Sequence, residues 1–266
     1  MTSYREIAND LDLTVCDQEI GESQRVKLGF EQPQWYLEKR SFNIKIRSET
    51  VKEFVADSKH ERILDIGCGD GSLSVPLLDA HNRLTLVDMS KAMLDIARSR
   101  VPPEFLSQLS VLNTPFMESR LAPGSFDLII SLGVLAYVED TRAFVGRIAS
   151  LLKPGGQVIF ECTDSSHPVN VLVRAFGRAR NLLSTPIVPL ILHTSSEVQG
   201  VFKELGFEQC GAFRYSLPPP GLRRLLSQNS LYKFVRNLHG SAARNRFPWM
   251  GDECLFHFIR LNKSIG

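Results

Sequence analysis

The sequence predicts a doubly wound α/β fold, and three observations carry the prediction. Strand-like apolar runs recur near 62–67, 84–88, 109–113, 126–132 and 157–162, and helical patterns near 72–80, 90–100 and 140–152 lie between them. Strands that alternate with helices at this spacing imply a parallel sheet with right-handed crossovers. The third observation is local: Ile63-Leu64-Asp65-Ile66 runs into a turn with glycines at 67, 69 and 71. Glycine reaches backbone angles that side chains forbid and lets a ligand lie against the main chain, so three in five positions read as a binding loop.

In chain order, residues 1–34 form an acidic, mostly polar segment with Asp10, Asp12, Asp17, Glu19 and Glu22. No apolar signal-peptide core is expected there. Residues 35–57, with Trp35, Leu37, Phe42, Ile46, Val51, Phe54 and Val55, suggest one or two amphipathic helices ahead of the sheet. After the five-strand core, Glu197 to Leu205 reads as a helix, Phe207 to Tyr215 as a strand and Leu255 to Leu261 as a last strand. Two further pieces, near 165–196 and 217–250, read as helical lid insertions within a single domain spanning 35–266. At 266 residues and 43% hydrophobic content the chain can bury a full core.

The residues around the loop narrow its ligand. A dinucleotide fingerprint needs its third glycine at position 72, which is Ser. Asp65, two residues before the first glycine, is unhelpful beside phosphates and helpful beside an ammonium or sulfonium group. Asp88 closes the run Leu84-Thr85-Leu86-Val87 about twenty residues beyond the glycines, where an acid can accept the hydroxyl hydrogens of a ribose. An acid at a strand end also begins turns and caps helices.

At this point the chain resembles the class I S-adenosylmethionine-dependent methyltransferases of small-molecule type. The residues that carry the resemblance are Asp65-Ile66-Gly67-Cys68-Gly69-Asp70-Gly71, Val87-Asp88-Met89-Ser90 with Met93-Leu94, Ser125-Phe126-Asp127-Leu128-Ile129-Ile130, and Leu151-Leu152-Lys153-Pro154-Gly155-Gly156. They cover about residues 35 to 165. The resemblance implies a mostly parallel, seven-stranded Rossmann-like methyltransferase sheet whose final strand inserts antiparallel. It implies S-adenosyl-L-methionine as cofactor and S-adenosyl-L-homocysteine as product.

The resemblance also distributes the site. Gly67, Cys68 and Gly69 would lie beneath the methionine part, and Asp65 would help orient its ammonium through the loop or a water. Asp88 would hold the ribose, with Met89 and Met93 against the adenine, although both methionines could equally be core. Where the family often has an Asp touching the adenine amino group, this chain reads Asn113-Thr114-Pro115-Phe116, which leaves Thr114 or a backbone carbonyl for that contact and Phe116 to stack or pack. Ser131, Leu132 and Gly133, followed by Leu135, Ala136 and Tyr137, would flank the sulfonium. Tyr36, or its neighbour Trp35, resembles an aromatic that covers the cofactor, since an aromatic face attracts a sulfonium and excludes water. Arg40, one turn on, is either a contact to the cofactor carboxylate or a solvated charge.

A sulfonium carries its own activation, so transfer mainly requires an acceptor held in line within a closed pocket. A hydroxyl or acidic-carbon acceptor also wants a base. No catalytic residue is assigned. His167 is the weak candidate for a base, His193 and His257 are weaker, and no residue spacing suggests a metal site. Arg174, Arg178 and Arg180 in one insertion, and Arg214, Arg223, Arg224, Lys233, Arg236, Arg244 and Arg246 around the other, stand without neighbouring acids against a net charge of +2. Leu222, Leu225, Leu226, Phe234, Val235 and Leu238 recur near helical spacing among them. A basic helix over 221–239 is therefore expected to act as a lid, to clasp a partly apolar acceptor with an anionic group, or to touch a membrane surface.

Nucleic acid is an unfavoured partner, because Ser131-Leu132-Gly133-Val134 is not the Pro-Pro-aromatic tetrad of base-modifying relatives. A cofactor-binding scaffold without transfer activity and an NAD oxidoreductase remain as other classes. Five cysteines without a C-x-x-C pair argue against a disulfide framework and for a reducing cytoplasm. The apolar stretch Leu182 to Leu192 is too short to cross a bilayer and holds Pro186 and Pro189, so a soluble or peripheral protein is expected.

Overall fold

A computed structural model of the chain describes residues 33–171 and 191–262. The acidic segment 1–32, the part of the first insertion that holds Arg174, Arg178 and Arg180, and the side chains of Trp35 and Tyr36 lie outside the described residues.

Seven strands form one sheet: β1 (Arg62–Ile66), β2 (Arg83–Asp88), β3 (Leu109–Asn113), β4 (Phe126–Ser131), β5 (Leu152–Thr163), β6 (Phe207–Tyr215) and β7 (Glu253–Arg260). Their order is β3-β2-β1-β4-β5-β7-β6. The first five are mutually parallel, and β7 runs antiparallel between β5 and β6. The order reverses between β1 and β4, so a crevice opens at the carboxyl ends of β1, β2 and β4.

Among the described residues, helices α1 (Pro33–Val55), α2 (Lys91–Ser99), α3 (Thr141–Leu151), α4 (Ser195–Glu204), α5 (Pro220–Leu225) and α6 (Gln228–His239) accompany the sheet. Their starts follow from local chemistry. Ser90, Asp140 and Ser227 accept the backbone N–H of Met93, Ala143 and Ser230, and Thr194 with Glu197 closes a full capping box. Strand residues alternate between two cores, as a sheet covered on both faces requires. Ile63, Leu84, Leu86, Leu128, Ile130, Ile159, Phe213 and Leu255 pack under α1, α2 and α6. On the opposite face Leu64, Ile66, Ile129, Val158, Phe160 and Phe256 pack under α3 and α4.

Two expectations need correction. Residues 72–80 form no α-helix; only a 3-10 turn, Val75–Leu77, follows the glycine loop. Pro76 lacks the N–H a helix interior needs and disfavours helical angles at Val75, and Gly71 sits at φ +73° just before. Of the one or two helices expected over 35–57, the chain forms one, α1. The basic helix 221–239 is broken: α5 ends at Leu225, Leu226 is extended, and Ser227 starts α6 afresh. Among the described residues no helix is long and apolar enough to cross a membrane.

Candidate active site

The crevice at the strand ends is one cavity of about 590 Å³. Of the residues singled out in the sequence, Gly67, Gly69, Asp88, Met89, Met93, Thr114 and Leu132 line it, as do Phe116, Gly133, Leu135, Ala136 and Tyr137. Asp65, Cys68 and Ser131 do not.

The loop is built from its own amides. Gly67 and Cys68 N–H donate to Val87 O at 2.8 and 3.2 Å, and Gly69 N–H donates to Asp88 Oδ2 at 2.9 Å. The loop is thereby clamped to the end of β2. Asp88 Oδ1 also accepts Ser90 N–H at 2.8 Å. Each carboxylate oxygen keeps a further lone pair for a hydroxyl donor in the cavity. Burial pushes the Asp88 carboxyl up, and the hydrogen bonds from the Ser90 and Gly69 amides oppose that shift. Asn113 Nδ2 donates to the carbonyls of Asp88 and Met89 at 3.0 and 2.9 Å, which ties β3 to the same corner.

Asp65 stands behind the loop. It is fully buried, and its Oδ2 accepts Ser74 Oγ–H at 2.6 Å while Oδ1 has no partner. Burial raises its carboxyl from 3.8 to about 7, with the Ser74 hydrogen bond opposing and Asp88 and Asp70 adding to the rise. Asp65 therefore shapes the loop through Ser74 and is a positioning residue. The Cys68 side chain turns into the core under α1, and burial pushes its thiol well up. Ser131 is buried with an unpartnered Oγ. Tyr36 lies in the first turn of α1, and its side chain is outside the described residues.

The base candidate His167 is not on the cavity wall; its Nε2 lies 3.1 Å from the Trp249 carbonyl in the second insertion. His193 is on the wall. Its Nε2 is 3.2 Å from Leu135 O and its Nδ1 is 3.3 Å from Thr141 Oγ1, so both nitrogens hold the segment after β4, and burial lowers its pKa. His257 bonds Gln157 within β7 and β5, and burial takes it down to about 4. Arg40 is 5% exposed and lines the cavity, so it is no solvated charge.

Several wall residues escaped the sequence reading: Asn43 and Arg47 of α1, Glu161 of β5, Leu217 and Glu253. Arg40, Asn43 and Arg47 stand at i, i+3 and i+7, one helical face, which was a usable signal. So was Glu161, an acid inside the buried run Val158-Ile159-Phe160. Arg47 donates Nε–H to Glu161 Oε1 at 2.7 Å, and its NH2 nitrogen lies 2.7 Å from Oε2.

The chain is similar to known proteins in sequence and in fold. Residues 64–160 match the family model described as a methyltransferase domain. By this match residues 64–160 carry a methyltransferase domain. Over 107 residues this domain is 39% identical to a ubiquinone biosynthesis O-methyltransferase of Nitrosococcus oceani, covering 38% of this chain and 42% of the relative. Over 138 residues it is 30% identical to the protein of the same name in Bordetella avium, covering 50% and 54%. The match thus spans about half the length of these curated relatives.

Among solved structures the methyltransferase fold matches a magnesium protoporphyrin IX methyltransferase of Synechocystis with bound S-adenosylhomocysteine. That match has a TM-score of 0.57 and 17% identity and covers 97% of this chain and 93% of that one. A methyltransferase of Thermotoga maritima matches with a TM-score of 0.58 and 18% identity, covering 86% and 94%. The residues lining this cavity fit an adenosyl group. A Cβ at Gly69 would meet nothing within 4 Å, which leaves the main chain open to a ligand, and Asp88 faces the same space beside the apolar slot of Met89, Met93 and Phe116.

Proposed function

We propose that the chain transfers a methyl group from S-adenosylmethionine to a small, partly apolar acceptor. One observation carries this reading: the cavity lined by Gly69 and Asp88 is lined also by Leu132 and Gly133 and by Arg47, Glu161, Thr163, Leu217 and Glu253. A donor beside Gly69 and Asp88 and an acceptor beside Glu161 and Glu253 would share one cavity, which in-line displacement at a sulfonium needs. The cofactor brings the activated methyl group. The protein contributes Asp88 as a grip for two hydroxyls, the open backbone at Gly69, and apolar contact from Met89, Met93 and Leu132.

The curated relatives are named O-methyltransferases of ubiquinone biosynthesis, which favours oxygen as the acceptor atom. An anionic group on the acceptor draws less support. Arg214 lies 3.7 Å from Asp164, Arg236 contacts Glu49 and Glu53, and neither arginine lines the cavity. Contact with a membrane surface retains the support of Leu225 and Trp249, 82% and 74% exposed in the basic insertion.

Calorimetry with S-adenosylmethionine tests the donor end, and transfer of label from the cofactor into a metabolite extract tests the acceptor end. Asp88→Ala is expected to weaken cofactor binding by roughly 10- to 100-fold, since it removes charge-assisted hydrogen bonds worth about 1.5–3 kcal/mol. Binding of a nicotinamide dinucleotide in place of S-adenosylmethionine would overturn the reading, and cofactor binding without transfer would leave a scaffold.

A further inference from the structure

Two buried carboxylates, Glu161 and Glu253, line the cavity together with the guanidinium of Arg47. Glu161 and Thr163 of β5 share a sheet face with Glu253 of β7, and the register sets Thr163 opposite Glu253. Thr163 Oγ1 donates to Glu253 Oε2 at 2.9 Å. Tyr215 of β6 pairs with Glu253 on its other side and donates its hydroxyl to Asn43 Oδ1 of α1 at 2.6 Å. Arg47 pairs with Glu161, whose Oε2 has the ion contact but no aligned hydrogen bond, and it also acts on Tyr215 and Glu253. Glu161 is 3% and Glu253 8% exposed, and both line the cavity.

Arg47 bonds Glu161 directly and reaches Glu253 only through its charge, so Glu253 is a buried acid on the cavity wall with Thr163 as its hydrogen-bond donor. Burial drives the Glu253 carboxyl above the ordinary range, with the charges of Glu161 and Asp252 adding to the rise and Arg47 and Thr163 opposing it. Arg214 and Asp164 pair near Ser195 of α4, under the opposite sheet face, where Arg214 also lies over Phe256. The cluster adjoins the stretch after β4. A Cβ at Gly133 would lie 3.9 Å from Glu161 Oε2, and one at Gly67 would lie 2.5 Å from Val134. Glu161 therefore adjoins the segment Leu132–Val134, which in turn adjoins the glycine loop.

We propose that Glu253 accepts the proton of the acceptor and that the Arg47–Glu161 pair positions it, which makes a neutral phenolic or enolic hydroxyl compound the acceptor class. This rests on the methyl-transfer reading and extends it. The acceptor O–H donates to the Glu253 carboxylate. An oxygen lone pair forms the O–CH3 bond as the C–S bond breaks, and the C–S electron pair stays on sulfur. The proton passes to Glu253 and leaves to solvent after product release. A sulfonium and a carboxylate thus become a neutral thioether and a neutral acid. Such loss of charge is favoured in a chamber of low polarity.

Labelled S-adenosylmethionine with catechol, and with benzylamine as the comparison, tests the assignment, alongside calorimetric cofactor binding. With catechol, wild-type kcat/KM is expected to rise with pH through the titration of Glu253. Glu253→Gln should lower kcat by about 100-fold and remove that pH limb, with the cofactor Kd within twofold as proof of folding. Glu253→Asp should restore part of the limb. Glu161→Gln frees Arg47 to pair with Glu253 and should move the limb to lower pH. An unchanged pH profile in Glu253→Gln with kcat within threefold overturns the proposal. So does a wild type that binds the cofactor but labels benzylamine in place of catechol, or neither. A wild type that fails to bind the cofactor overturns the methyl-transfer reading itself.

Discussion

Gly67 and Gly69 sit two residues apart in one loop and answer to different constraints. Both have positive φ, +65° and +52°, which L side chains adopt only with strain. A Cβ at Gly67 would lie 2.5 Å from Val134 Cγ2, whereas one at Gly69 would enter open cavity. Gly67→Ala is therefore expected to destabilise the fold more than Gly69→Ala, whose folding cost is roughly the 1–2 kcal/mol of the backbone conformation alone. Gly69→Ala should instead weaken S-adenosylmethionine binding beyond its loss of stability. Urea unfolding and calorimetry on both variants separate the two effects, and equal loss of binding and stability in both would refute the distinction. The residue types of this loop are plain in the sequence, but the direction each side chain faces is not. Asp65 and Cys68 belong to the same motif as Gly69, yet they point behind it because alternation along β1 and the turn carries them into the core.

Helix α1 shows how elements redistribute charge. Glu49 and Glu53 lie one turn apart on it, and Arg236 of α6 reaches both, with Tyr232 donating to Glu49 and the Ala242 N–H donating to Glu53. In the linear chain Arg236 belongs to an acid-free stretch; in space it is a strut between two helices. Arg236→Ala is expected to lower the melting temperature by a few degrees while leaving the cofactor Kd unchanged, because it strips two half-buried carboxylates of their cation. A thermal scan showing no change would mean that solvent screens the contact completely. Element positions were legible for most of the sheet because strand and helix periodicities differ and caps mark the boundaries. The expected helix over 72–80 failed for a reason visible at Pro76, which helical periodicity outvoted. His167 and His193 exchange importance because β5 and the bridge Asp164–His193 bring only the second histidine to the cavity.

Across the whole molecule, buried carboxyls set a pH dependence of stability. Asp65 rises to about 7 on folding, so between 3.8 and about 7 the folded chain holds a proton that the unfolded chain releases. Its contribution is therefore fully retained at low pH, is lost as pH climbs through that window, and is constant above it. The buried histidines act in the opposite sense: His257 falls to about 4 and costs stability as pH drops below its unfolded value of 6.5. Asp65→Asn isolates the carboxyl. Relative to wild type it should gain about a few kcal/mol between pH 5 and pH 8 in urea unfolding. A constant difference across that range would show that Asp65 is ionised throughout.

The order of strands and helices, the loop with Asp88, and the family resemblance could be read from the chain alone, since each rests on neighbours in sequence or on a local period. The acceptor chamber could not. Arg47, Glu161 and Glu253 come from α1, β5 and β7, more than a hundred residues apart at the first step and about ninety at the second. They meet because β7 inserts antiparallel beside β5 and α1 covers that face, a long-range pairing that no local pattern encodes. Burial then changes what the acids can do, for the same glutamate that is an ordinary charge in water becomes a proton acceptor once the fold removes its solvent.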